Sequence, residues 1–351
     1  MRETKISIIT DVDPNVNMVG GIPTYINQLC NYLKSKRFKI EIIGRKRQSE
    51  QKKKIPYDKF IGIKCSSNYT FLIKLFKFLF KKVDSDIIYA QRADFMVPFI
   101  FKKGKKIIIY HGSTNVELSH KKGHLTSLIY KILERIAIRS CNKIIVVSDT
   151  LKKHLESKYS LGSKVILIPS GVDIAIFRPK NQYTLRKKYG FKPKDKIIAY
   201  IGRFSAEKQI DFIVKEVSKL KDVLLVLVGE GNFKIKNDKN IKIIKPVPHE
   251  ELVDIINCAD CVVLFSKYEG MPNVVLEALA CGKPVVSSNV GDISKVVVNG
   301  KTGFITSRNN FTDFVLKAVS NSSRFKKNCV EMANKYSWKN IGQETIKVLS
   351  S

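Results

Sequence analysis

Two glutamates raise the first chemical question. Glu269 lies in Ser266-Lys267-Tyr268-Glu269-Gly270-Met271-Pro272-Asn273, and Glu277 lies inside the apolar run Val274 to Cys281 that follows. A carboxylate within so apolar a run is costly to bury without partners. Hydroxyls of a sugar or ribose would serve, because a carboxylate only accepts. A salt bridge to one of the many lysines is the plain alternative. Gly270, Met271, Pro272 and Asn273 precede the predicted helix, and backbone N–H groups at a helix start can hold a phosphate. A second pair is cationic: Arg203 and Lys208 share the loop Gly202-Arg203-Phe204-Ser205-Ala206-Glu207-Lys208. A guanidinium fork beside a mobile ammonium is a natural clamp for a diphosphate, although such residues on a loop are commonly just solvated. Gly20-Gly21, ahead of a helix with Pro23 in its first turn, lets the backbone approach an anion closely. A tight strand-to-helix turn explains that glycine pair equally well.

These side chains need a scaffold, and the apolar pattern supplies one. Strands are predicted at Lys5–Thr10, Lys39–Ile43, Asp86–Ala90, Lys106–Tyr110, Lys143–Ser148 and Val165–Ile168. A second series follows at Lys196–Ile201, Val223–Val228, Ile241–Ile244, Cys261–Ser266 and Pro284–Ser287. Most are β-branched and apolar throughout, as strands covered on both faces should be. Helical spacing falls between them, as at Ile22, Ile26, Leu29 and Leu33, and again at Val214, Val217 and Leu220. Strand–helix alternation of this kind reads as a doubly wound α/β fold. The series restarts near Lys196, after a segment holding Pro169, Gly171, Pro179 and Pro193. The expectation is two Rossmann-like lobes with parallel sheets facing an interdomain cleft. One spans residues 1–170 and the other 180–336, with residues 337–351 packing back on the first.

The 351 residues suit two domains, and 44% hydrophobic residues suffice for two cores. Lys and Arg number 63 against 31 Asp and Glu, a net charge of +32. That excess points to nucleic acid, an anionic membrane or anionic substrates. The basic residues are dispersed, and no recognised RNA or DNA module is present. Residues 1–170 hold 33 basic and 13 acidic residues, so most of the excess lies in the first lobe. No apolar stretch of signal-peptide form precedes Ile6, and no window long enough to span a bilayer is free of charge. Seven scattered cysteines, Cys258 and Cys261 among them, read as reduced, buried thiols of a cytoplasmic protein rather than metal ligands.

Taken together, these stretches resemble glycosyltransferase family 4. The match runs through Gly20-Gly21, His111-Gly112, Ile168-Pro169-Ser170-Gly171-Val172-Asp173, Gly202-Arg203 and Glu207-Lys208. It continues through Gly229-Glu230-Gly231, Ser266, the paired Glu269 and Glu277, and Gly282-Lys283-Pro284-Val285-Val286. The resemblance implies the GT-B fold and a retaining hexosyltransferase that uses a nucleotide-sugar donor and no cofactor or metal. It implies that Arg203 and Lys208 hold the donor diphosphate, with Gly202, Gly20 and Gly21 close to the phosphates. Glu269 would meet donor-sugar hydroxyls, Glu277 the ribose, and Gly270 to Asn273 the donor. His111 would face the donor sugar or the acceptor. The acceptor implied is a glycan or polyprenyl-linked glycan of bacterial surface polysaccharide.

Three departures stand out. Gln209 replaces a glycine usual after Lys208, Lys245 replaces a glycine near the base pocket, and Asp292 and Lys295 follow Gly291 where a second glycine and an acid are common. Asp11-Val12-Asp13 resembles a metal-binding DxD only superficially. An epimerase of the same fold remains an alternative, as does nucleic-acid binding on charge alone. The stretch Phe71 to Lys82 sets Lys74, Lys77 and Lys81 on one predicted helical face beside Phe and Leu. That suits either an anionic bilayer surface or an ordinary helix packed on the first sheet.

Overall fold

A computed structural model describes residues 3–16, 18, 20–47, 55–112, 124–231 and 238–351. The chain folds as two compact units. The first comprises residues 1–18, 22–169 and 341–351; the second comprises 170–340 together with 19–21.

The first unit is built on seven parallel strands. They are β1 (Lys5–Thr10), β2 (Lys39–Lys46), β3 (Lys59–Lys64), β4 (Ile87–Ala90), β5 (Lys105–Tyr110), β6 (Lys143–Val146) and β7 (Val165–Leu167). Their order across the sheet is β3-β2-β1-β4-β5-β6-β7. Residues Ile6 to Thr10 of β1 and all four of β4 are buried. Helices cover both faces, so these strands read as continuous Ile and Val runs without alternation. The last helix, Trp338–Ser350, carries the chain back to this unit. Lys105 there donates to the Val348 carbonyl, and Gly342 lies against the Tyr32 ring.

The second unit repeats the plan with six parallel strands. They are β8 (Lys196–Ile201), β9 (Val223–Val228), β10 (Ile241–Ile244), β11 (Cys261–Leu264), β12 (Val285–Ser287) and β13 (Gly303–Ile305), ordered β10-β9-β8-β11-β12-β13. Phe212, Phe265 and Phe311 stack on one another beneath it, with centroids 4.4 to 5.5 Å apart.

Both sheets therefore carry the doubly wound, Rossmann-like order expected from the sequence. Two strands were not anticipated. β3 is an edge strand whose lysines and Gly62 blur its apolar pattern, and β13 has three residues beginning with Gly303. The stretch Phe71 to Lys82 is also not one helix. Asn68–Leu75 is α-helical, Phe76–Leu79 is a 3-10 turn, and Lys81 lies beyond both. Phe71, Leu75 and Phe78 are buried, as in an ordinary packed helix.

Among the described residues no helix is long and apolar enough to cross a membrane, and no cluster of His, Cys, Asp and Glu could hold a metal. All seven cysteines are free; six are buried and Cys65 is partly exposed.

Lys283, like Arg186, is a buried cation. Loss of hydration lowers its pKa to about 8, with the Asp260 carboxylate opposing the shift. The unfolded lysine titrates near ~10.4, so the unfolded state binds more protons between those values. Stability should rise with pH across that window and be lowest below it. Lys283→Met is expected to gain about 1–3 kcal/mol at pH 7 and to lose the rise. Urea unfolding at pH 7 and pH 10 checks this; a variant no more stable than the parent at pH 7 contradicts it.

Candidate active site

In the second unit β8 and β11 are neighbours although β9 and β10 intervene in the chain. Their following connections diverge, which opens a crevice at the carboxyl ends, where ligands bind in such sheets. Both predicted pairs issue from these two strands. The loop Gly202 to Lys208 leaves β8, and the loop Phe265 to Pro272 leaves β11.

The two loops are joined. Lys208 Nζ donates to Glu269 Oε1 in a short ion pair, and Ser266 Oγ donates to the same oxygen at 2.7 Å. The Lys267 amide donates to the Glu207 carbonyl at 2.9 Å. Lys208 and Glu269 are largely buried, whereas the Arg203 side chain remains 69% exposed, with Glu207 3.8 Å from its guanidinium. Arg203 is thus free to swing onto a ligand while Lys208 is already placed.

Backbone packing holds this arrangement. The Gly202 amide donates to the Val228 carbonyl at 3.0 Å, and the Phe204 amide to the Glu230 carbonyl at 2.8 Å. Gly229 and Gly231 have φ of 149° and 157°, and a Cβ on either would fall 2.0 or 2.1 Å from the carbonyl oxygen of Gly202 or Phe204. Gly229-Glu230-Gly231 is therefore a backbone cradle for the Arg203 loop. The sequence marked that segment without showing what it does.

The departure at Gln209 leaves the turn intact. Gln209 adopts the left-handed conformation (φ 45°, ψ 43°) that glycine would take. Arg308 donates to its Oε1 while lying 4.5 Å from the Phe212 ring centre. Lys245 is exposed just past β10. Asp292 pairs with Lys295 at 2.9 Å, and its amide donates to the Gly270 carbonyl at 3.0 Å.

Glu277 is buried in the helix Asn273–Ala280, as its apolar neighbours imply. Its partner is not a lysine. His249 Nε2 lies 2.8 Å from Glu277 Oε1, and the His249 ring packs edge-on against Phe177 at 4.7 Å. Sequence reasoning missed His249, because a lone histidine at a helix start carries no signal. Met271 is buried; Gly270, Pro272 and Asn273 are half-buried at the start of that helix.

In the first unit His111 follows β5 directly. Its Nε2 lies 2.5 Å from Gln91 Oε1, and its ring meets Tyr25 edge-on at 4.7 Å. A carboxamide oxygen only accepts, so Nε2 carries the proton and Nδ1 is left to accept. Burial lowers the His111 pKa to about 4, so the ring is neutral at pH 7. Gln91, at the end of β4, is a second residue that sequence reasoning missed. Gly20 is exposed with φ 138°, and Gly21 begins the helix Gly21–Ser35. Asp11 and Asp13 serve the loop itself: Asn68 donates to Asp11, and the Asn15 and Arg47 amides donate to Asp13.

Comparison with known proteins agrees with the fold. The family model "Glycosyltransferase Family 4" matches residues 19–176, and "Glycosyl transferases group 1" matches residues 181–335. An uncharacterized glycosyltransferase of Methanocaldococcus jannaschii is 25% identical over 344 residues, covering 91% of each chain. Among solved structures, sucrose-phosphate synthase from Thermosynechococcus elongatus superposes with a TM-score of 0.82 at 19% identity, over 99% of this chain and 98% of that one. Anabaena HepE in complex with UDP-glucose gives 0.77 at 16% identity, over 99% and 100%.

Two predictions follow from the geometry. Gly229→Ala should cost at least about 2 kcal/mol, through left-handed strain and collision with the Gly202 carbonyl. A melt within error of the parent would show that the cradle yields. Between the ordinary histidine pKa near ~6.5 and the folded value of about 4, the unfolded state binds more protons at position 111. Stability from neutral His111 should be complete above the upper value and lost as pH falls towards the lower. His111→Gln should show a shallower acid loss in denaturant titrations at pH 7, 5.5 and 4.5; parallel slopes would refute it.

Proposed function

Because the chain belongs to the GT-B glycosyltransferases of family 4, we propose that it moves a hexosyl-type sugar from a nucleotide-sugar donor to a glycan or polyprenyl-linked glycan, with retention of configuration. The observation that carries the reading is the Lys208–Glu269–Ser266 cluster at the carboxyl edge of β8 and β11. It sets a cation for a diphosphate beside a carboxylate for sugar hydroxyls.

The donor diphosphate draws on Lys208, and Arg203 folds over it. The bond from the anomeric carbon to the leaving phosphate oxygen breaks while the acceptor oxygen attacks from the same face. The acceptor proton passes to that phosphate oxygen. Both cations then oppose charge that grows only as the bond breaks, so they act mainly in the transition state. Protein cations do this work in our reading, and no metal is assigned. Glu269 accepts from donor-sugar hydroxyls, and the second oxygen of Glu277 accepts from the ribose while His249 holds the first. Gly20, Gly21, Gly202 and the half-buried start of the helix Asn273–Ala280 lie close to the phosphates. Neutral His111 offers Nδ1 as an acceptor to a hydroxyl of the donor sugar or the acceptor. UDP-glucose bound to the structurally similar HepE makes uridine nucleotides the first donors to try.

The product in this reading is part of a bacterial surface polysaccharide. The enzyme works in the cytoplasm, attached peripherally to an anionic membrane, which the charge of residues 1–170 favours.

A thermal-shift panel of nucleoside diphosphates and nucleotide sugars should single out the donor by mass action. With that donor, Lys208→Met and Glu269→Ala are each expected to lower turnover by about 10²–10³. NMR of the product should show the anomeric configuration retained. Full turnover in both variants would remove the site assignment, and an epimerised donor without acceptor would replace transfer with epimerisation.

A further inference from the structure

Every large apolar side chain that the described part of the first unit leaves exposed lies on one side of its sheet. The segments concerned are the connections from β3 to β4, from β4 to β5 and from β5 to β6. All three advance the same way across the sheet, and right-handed crossovers then place them on one face. The packing agrees. Phe71 meets Phe95 at 5.2 Å, Phe78 meets Phe99 at 5.4 Å, and Lys102 Nζ donates to the Leu79 carbonyl at 2.8 Å. The helix Ala93–Met96 then packs on the helix His124–Ser140.

At the amino end of the sheet two turns hold Phe80 and Phe101, 92% and 84% exposed. Leaving one such ring in water is ordinary, but two on adjoining turns are unusual. Lys81, Lys82 and Lys103 are exposed beside them. On the helix His124–Ser140 the buried side is ordinary: Tyr130, Ala137 and Ile138 face the protein. Its outer side is inverted, because Leu128, Ile129, Ile132 and Ile136 are exposed. At about 100° per residue these four fall within an arc of about 100°. Lys131, Arg135 and Arg139, also exposed, form the adjoining row.

Exposed acidic groups are few among the described residues of this side: Asp84, which pairs with Lys5, and Glu156, which pairs with Lys152. Over residues 68–82, 100–106 and 124–140 the sole carboxylate is Glu134. It is buried, and Tyr110, Lys158 and Tyr159 all donate to it. Asp84, just beyond, is held by Lys5 at 2.8 Å. Apolar groups edged by cations that far outnumber exposed acid complement an apolar layer edged by anions. A twofold pairing of two copies would instead set each Lys and Arg row near its own image.

We propose that this side of the first unit is the surface that binds an anionic phospholipid bilayer. Phe80 and Phe101 insert at one end, and the aliphatic row of His124–Ser140 lies along the boundary of headgroups and acyl chains. The lysines and arginines meet lipid phosphates. The proposal rests on the peripheral attachment read above and names the residues that make it.

The test is co-sedimentation of the full chain with phosphatidylcholine vesicles, with and without about one-third phosphatidylglycerol. Binding should require the anionic lipid and weaken as salt is added. Phe80→Ser/Phe101→Ser, Leu128→Ser/Ile132→Ser and Arg135→Glu/Arg139→Glu should each lower partitioning by about tenfold or more without changing the melt. Lys187→Glu/Lys192→Glu, on the second unit, should leave it unchanged. No sedimentation with anionic vesicles at low salt overturns both the attachment and the face. Sedimentation that all three face variants retain, or that the second-unit variant loses equally, leaves the attachment standing and overturns the face. A dimer in light scattering that Leu128→Ser/Ile132→Ser splits, with vesicle binding intact, also overturns it by making the helix a contact between copies.

Discussion

The ion pair of Lys208 and Glu269 ties together two loops that leave neighbouring strands in different directions. Each loop taken singly is a polar turn at the end of a sheet. Joined, they set a cation and an acceptor carboxylate side by side before any ligand arrives, with Ser266 holding the same carboxylate oxygen. The rest of the second unit serves this juxtaposition. Out-of-order neighbours β8 and β11 bring the loops together, and the Gly229 and Gly231 backbones keep the first loop down. A glutamine takes a glycine's conformation so that Lys208 stays in place. Preorganisation of this kind is worth having because charges fixed in advance need not reorganise during reaction.

Much of this was legible in the sequence, for a physical reason. Strands covered on both faces must be apolar throughout, so β1, β8 and β9 could be bounded to the residue. The rule fails where coverage fails. β3 lies at an edge, where Lys59, Lys64 and Gly62 are tolerated, and β13 is too short to show a pattern. Glu277 was legible as a carboxylate in need of a partner, because burial made it costly. Its partner was not, because His249 comes from a helix 28 positions earlier and only the packing of Phe177 and the sheet brings it near. Gln91 is similar: nothing in its own stretch distinguishes it until β4 and β5 pair and set it against His111.

Charge was the feature whose meaning changed most with structure. A net +32 is a property of composition, equally compatible with several partners. Once the fold assigns each residue to a surface, the question becomes where carboxylates are missing. The helix His124–Ser140 turns a row of aliphatics outward beside a row of cations, and such a surface asks for a partner that is both apolar and anionic. The stretch Phe71 to Lys82 pointed the same way in the sequence, but Phe71, Leu75 and Phe78 turn out buried. The exposed phenylalanines are its last, Phe80, and one that the sequence did not mark, Phe101.

The thiols carry a practical consequence. Burial raises the pKa of Cys141 and Cys258 to about 11 and of Cys281 and Cys329 to about 12, and lifts Cys30 and Cys261 further. Alkylating and maleimide reagents attack the thiolate, so these six are shielded twice, by packing and by protonation. Cys65, at the edge of the first sheet, is only partly covered. The unaltered protein thus comes with one addressable sulfur. A fluorophore or spin label could be placed there without first removing the other six.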